Sequence, residues 1–158
     1  MKFTSAFTLT ELIIVIAILG ILAAIVVPKY TSATNEARSS GAMSQLVSAR
    51  KQIEVWKLDH NGNYPTLSQL QSGPADWAVF TSKTLIDGSI DDSGRFGPYF
   101  PVPPVNNYTN SSLVVEAGSP VNTAGWTYNA STGALKMILP NSVELAGTGI
   151  SSSDVEQP

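Results

Sequence analysis

The chain has 158 residues, a net charge of −3 and an isoelectric point near 5.0, with no cysteine and one histidine. An acidic chain whose adjacent basic residues are confined to Arg50 and Lys51 argues against a nucleic-acid partner. Without cysteine there is no disulfide staple and no thiol chemistry.

Residues 1–6 read MKFTSA, with one basic residue, Lys2, and a small residue, Ala6, at the end. From Phe7 to Val27 the chain is apolar and carries a single charge, Glu11. At about 1.5 Å of rise per residue, about 21 residues of helix reach about 30 Å, enough to cross a bilayer's hydrocarbon. An ordinary secretory signal is cut after its apolar core, whereas here the small residue comes before it. Cutting between Ala6 and Phe7 keeps the apolar segment and creates an α-amino group at Phe7, charged near neutral pH.

A carboxylate within an apolar helix costs about 2.5–3.5 kcal/mol at a membrane centre and less towards an end. Glu11 has two readings. Either it sits in the first helical turn, where negative charge is favoured, or it awaits a cation from another copy of the chain, the Phe7 amine.

The residues Ala6-Phe7, Phe7-Thr8-Leu9 and Glu11, with Gly20 inside the helix and Pro28 at its end, resemble the precursors of type IV pilins and type II secretion pseudopilins. That family usually has Gly where Ala6 stands and an aliphatic residue where Thr10 stands. The Thr10 hydroxyl is expected to return to a backbone carbonyl one turn back. The resemblance implies cleavage after Ala6 by a prepilin peptidase, N-methylation of Phe7, and assembly through Phe7, Glu11, Gly20 and Pro28. It implies a homo-oligomeric helical filament, an inner-membrane assembly platform and minor pilins or pseudopilins as partners. A single pass through the cytoplasmic membrane would leave the head outside the cytoplasm, in a periplasmic or cell-surface filament. The missing cysteines favour a major pseudopilin, since many type IV pilins close a C-terminal loop with a disulfide.

Gly20 and Pro28 mark where the helix can give, because Pro removes a backbone donor and Gly costs about 1 kcal/mol relative to Ala. Beyond them Ala42, Leu46, Ala49, Ile53 and Trp56 recur at alternating four- and three-residue steps, the apolar stripe of an amphipathic helix. Glu36, Arg38, Arg50, Lys51, Glu54 and Lys57 are assigned to its solvated faces. The helix is expected to stop at 59–63, with Gly62 in a left-handed cap. His60 is read as a capping or surface residue.

The expected organisation is a leader over 1–6, an apolar assembly helix over 7–28, its amphipathic continuation over 29–60, an α+β head over 61–145 and a flexible tail over 146–158. A short helix capped by Thr66 or Ser68 follows the spine, and a helix and loop are expected over 75–90. Asp87, Asp91 and Asp92 lie on a Gly-rich turn as candidate calcium ligands, although their spacing does not match the helix-loop-helix pattern and a solvated turn is the other reading. Four prolines over 98–104 impose an extended loop across the core, and Gly97-Pro98-Tyr99 resembles a segment of the secretion pseudopilins. Strands are expected over 113–116, 125–129 and 134–139 as an antiparallel meander, with the hairpin 130–133 between the last two and one face against the spine stripe. Residues 141–158 have little to bury and read as mobile. Three glycosylation patterns, at Asn107, Asn110 and Asn129, read as turn chemistry.

An enzyme needs reacting groups, and the sequence supplies no nucleophile signature beside His60, no phosphate loop and no metal-ligand spacing. The expected fold is α+β, a long N-terminal helix packed on a small antiparallel sheet. The expected function is a non-catalytic fibre subunit of a type II secretion system that needs no cofactor, calcium apart. The alternatives are a surface type IV pilus subunit or a non-polymerising membrane-tethered binding domain.

Overall fold

A computed structural model describes residues 7–73 and 76–158, so the expected leader, including Lys2 and Ala6, lies outside the described residues. The chain divides into two compact units, Met1–Glu36 and Ala37–Pro158. Helix α1, Leu9–Asp59, contributes to both.

In the first unit, residues 7–26 are exposed throughout. Leu9–Val26 has a mean hydropathy of 2.9, which by length and composition is enough to cross a membrane. Such a surface is stable only where something other than water covers it. The helix continues through position 28, and a Cβ added at Gly20 would meet nothing within 4 Å.

In the second unit the expected stripe is the core. Ala42, Leu46, Ala49, Ile53 and Trp56 are all at most 1% exposed and cluster with Trp126, Tyr128, Leu135 and Met137. The helix ends as a Schellman turn, with Gly62 N donating to Lys57 O at 2.8 Å and Asn63 N to His60 O at 3.1 Å. Asn61 (φ 57°) takes the first left-handed position and Gly62 (φ 78°) the next, so the expected Gly62 cap is shared.

Helix α2, Leu67–Leu70, is capped by Thr66: its hydroxyl accepts from Gln69 N while its own N–H donates to Gln69 Oε1 at 2.8 Å. Helix α3, Ala78–Thr81, buries Val79 and Phe80. The proline-rich stretch lies over the core as expected. Tyr99 and Phe100 pack against it, Tyr99 N donates to Phe80 O at 2.7 Å, and Trp126 Nε1 donates to Pro104 O at 3.0 Å.

The sheet is β1 (Val114–Glu116), β2 (Trp126–Asn129), β3 (Ala134–Ile138) and β4 (Val155–Glu156), in that spatial order. Three strands fall where the alternation put them, but the antiparallel meander is corrected to a mixed sheet. Only β2 and β3 run antiparallel; β1 with β2 and β3 with β4 are parallel. The physical reason is the segment 117–125, which returns to the beginning of β1, so that Gly125 N and Trp126 N both donate to Leu113 O. Buried Asn106 fastens this return by donating to Gly125 O and Ile138 O.

The expectation of a mobile tail is also corrected. Ile150 and Val155 are 8% and 6% exposed, Leu139 N donates to Glu156 O at 2.9 Å, and Lys136 pairs with Glu156 at 3.5 Å. Two apolar side chains and a strand edge give this segment a place to bind.

Candidate functional site

The sequence Thr8-Leu9-Thr10-Glu11 has the spacing of a capping box, Thr at the N-cap and Glu three residues on. The structure forms it. Thr8 N and Thr8 Oγ1 donate to Glu11 Oε2 at 2.8 and 2.7 Å, and Glu11 N donates to Thr8 Oγ1 at 3.3 Å. Leu12 N donates to Thr8 O at 3.3 Å, which starts the ladder. The acid therefore satisfies helix-end donors that neither lipid nor an apolar neighbour could satisfy.

Both donors fall on Oε2, leaving Oε1 without a partner among the described residues. Phe7 beside it is 81% exposed. In the uncut chain the Phe7 nitrogen is an amide, so the amine expected to meet a neighbouring Glu11 exists only after cleavage. The first reading of Glu11, a first-turn acid, is thus present in the single chain, and it leaves one carboxylate oxygen for the second. Thr10 Oγ1 reaches Thr8 Oγ1 at 3.5 Å. The residue missed in the sequence is Thr8 as the cap; the Thr-x-x-Glu spacing before an apolar run was its signal.

The other candidates are elsewhere. Asp87 accepts from Ser89 N and Oγ at 2.9 and 2.6 Å, and Asp91 accepts from Ser93 N at 2.7 Å. These serine hydroxyls hold both carboxyls below their ordinary range. Among the described residues no three acidic, histidine or cysteine side chains are grouped as metal ligands.

His60 is corrected from a surface to a buried residue, 3% exposed and stacked on Trp56 with centroids 3.7 Å apart. Its Nδ1 donates to Trp56 O at 2.8 Å and its Nε2 meets Thr84 Oγ1 at 3.2 Å. Both ring nitrogens are thereby used in holding the head together.

Residues 1–27 match the prokaryotic N-terminal methylation motif. The chain is 43% identical over 63 residues to the type II secretion system core protein G of Dickeya chrysanthemi, covering 40% of each chain. It is 43% identical over 65 residues to that of Aeromonas hydrophila, 41% of this chain and 45% of the relative, and 40% identical over 63 residues to that of Escherichia coli, 40% and 43%. Each alignment therefore spans less than half of the relative's length. No solved structure matches the chain.

The chain thus combines an N-terminal methylation motif, an exposed apolar helix and an α+β head with a small sheet. Over its first 65 or so residues the chain is similar to type II secretion core G proteins.

Proposed function

We propose that this chain is a major-pseudopilin-like subunit of a type II secretion pseudopilus. The observation that carries the reading is the capped Glu11 at the head of an exposed apolar helix, in the segment shared with the core G proteins. The precursor is anchored in the inner membrane with its head outside the cytoplasm, cut after Ala6 by a prepilin peptidase and methylated on Phe7. Its helix then leaves lipid for the apolar flanks of neighbouring helices. Because lipid and neighbour are equally apolar, that transfer gains little, and packing together with charge pairing sets the register.

Glu11 Oε1 accepts from the newly made Phe7 amine of the next subunit while Oε2 keeps its Thr8 cap. Gly20 and Pro28 are the positions where the helix yields during packing. The assembly platform and minor pseudopilins are the other partners; no step is catalytic. A surface type IV pilus would use the same anchor, but the core G relatives favour the secretion system.

The test is Glu11→Ala in the assembling cell, followed by electron microscopy of sheared fibres and mass spectrometry of their subunits. Insertion and cleavage should persist and fibres should vanish, while the parent fibres begin at methylated Phe7. Abundant fibres built solely from the variant, or fibres that retain residues 1–6, overturn the reading.

A further inference from the structure

The turn that ends α1 holds the chain's single Asn-Gly pair, Asn61-Gly62. Such a pair can react with itself: the backbone nitrogen of the glycine adds to the side-chain carbonyl carbon of the asparagine. Glycine leaves that nitrogen unshielded, since no Cβ stands beside it. Both residues are exposed, and the Asn61 side-chain amide has no hydrogen-bond partner among the described residues. The electrophile is therefore wet and free to turn.

The nucleophile is not. Gly62 N donates to Lys57 O at 2.8 Å, and the cap fixes Asn61 (φ 57°) and Gly62 (φ 78°) in the left-handed region. Attack has to wait until this turn opens. A helix end frays far more readily than a core unfolds, so the wait is finite.

A second pair provides the contrast. Asp87-Gly88 is the chain's single Asp-Gly pair and could close the same ring with loss of water. Here both partners are held. Gly88 is buried, its N donates to Leu85 O at 2.9 Å, and a Cβ there would crowd Gln69 and Trp56. The Ser89 hydroxyl and N–H donate to Asp87 at 2.6 and 2.9 Å and keep its carboxyl ionised, which makes it a poor electrophile.

We infer that Asn61 is a self-modification site gated by the helix cap, converting to aspartate and isoaspartate through the opened turn while Asp87 stays unchanged. Gly62 N gives up its proton and bonds to Asn61 Cγ; the Cγ–Nδ2 bond breaks, and the amide nitrogen leaves with that proton as ammonia. Water then opens the succinimide ring. At Cγ it yields aspartate; at the Asn61 backbone carbonyl it yields isoaspartate, whose main chain runs through Cβ and is one atom longer. Aspartate suits a left-handed position as asparagine does. Isoaspartate instead draws Gly62 N away from Lys57 O and Asn63 N away from His60 O. Either product also adds a negative charge at the end of α1, where the helix dipole favours cations. The chain thus carries a clock that loosens the end of its spine. This chemistry needs no second copy and is independent of the proposed fibre.

The test incubates the full chain in detergent and mildly alkaline buffer, with and without unfolding urea. Peptide mapping by mass spectrometry follows the change from amide to acid, and an isoaspartyl methyltransferase labels isoaspartate. Asn61 should convert before every other asparagine in both conditions, and about tenfold or more slowly in the folded chain, because only its open fraction reacts. Asn61→Gly, which keeps a residue suited to the left-handed position and removes the amide, should show no conversion there. Purified isoaspartyl chain should melt below Asn61→Asp, which carries the charge without the longer backbone. Equal rates in folded and unfolded chain, earlier conversion of another asparagine, or isoaspartate forming at Asp87 of the folded chain as fast as at Asn61 overturns the site. Isoaspartyl chain that melts together with Asn61→Asp overturns the clock.

Discussion

Arg50 of α1 donates to Asp154 at 2.7 Å and, through Nε, to the Leu135 carbonyl at 2.8 Å. One guanidinium thus joins the helix, the antiparallel hairpin and the last turn of the chain. Its planar fork suits this, because two donors can point to two acceptors from one side chain.

Asp154→Ala is expected to cost the head about 0.5–1 kcal/mol, since the pair's side chains are 36% and 19% exposed and solvent screens them. Removing residues 150–158 should cost several times more, because buried Ile150 and Val155 each contribute up to about 1.5–3 kcal/mol. Urea melts of the full chain in detergent check both. High salt should shrink the first effect and leave the second.

Thr66→Ala should destabilise the head by about 1 kcal/mol, and Thr66→Ser should restore most of the loss. The cap and its reciprocal Gln69 bond are both present, so the hydroxyl rather than the methyl is what matters. Comparing the melting midpoints of the two variants checks it.

Asp76 accepts from Val114 N at 2.6 Å while Gln71 Nε2 donates to Val114 O at 2.9 Å, so two side chains occupy the outward backbone groups of edge strand β1. Burial raises the Asp76 carboxyl above its ordinary range, opposed by the Val114 N–H. A raised folded value means the group favours the folded state below the unfolded value of 3.8, and that this advantage is lost as pH rises through the folded value. Asp76→Asn keeps an acceptor for Val114 without the charge. It should therefore stabilise the head slightly at pH 7 and flatten its stability between pH 3 and 6, whereas Asp76→Ala should destabilise it and promote aggregation. Stability measured across that range, with light scattering, decides.

Tyr99 and Tyr128 carry phenols held above their ordinary value of 10.0, both by burial first, then by Asp59 for Tyr99 and by Tyr64 and Glu54 for Tyr128. Protonated phenols favour the folded state fully below pH 10, and that contribution disappears as pH rises through the folded values. The head should weaken steeply in alkali. Tyr99→Phe with Tyr128→Phe should flatten that slope, while Tyr128→Phe alone costs about 1 kcal/mol at pH 7 by stripping Pro65 O of its donor.

The spine stripe was legible because periodic burial writes itself into the residue order, and the strands because large and polar side chains alternate along them. Ala42 to Trp56 repeat at helical steps, and Trp126 and Tyr128 alternate with Thr127 and Asn129. Strand direction was not legible, since alternation records which way a side chain faces and is the same for either polarity. Ile150 and Val155 stand singly among serines, so the slot that takes them is visible only once β3 is placed. His60 is buried by Trp56 one turn before it and by Thr84, which is far away in sequence. At the anchor the apolar run and the acid were plain, and the Thr8 cap was present in the spacing. The expected partner of Glu11 belongs to another molecule, and no single chain displays it.

All three tryptophans, Trp56, Trp77 and Trp126, are at most 1% exposed and lie in the unit Ala37–Pro158, with none in the apolar anchor. Ultraviolet emission from this protein is consequently silent about its greasy end. A red shift in that light signals only that water has reached the interior of the folded domain, whichever solvent, lipid or micelle surrounds the rest.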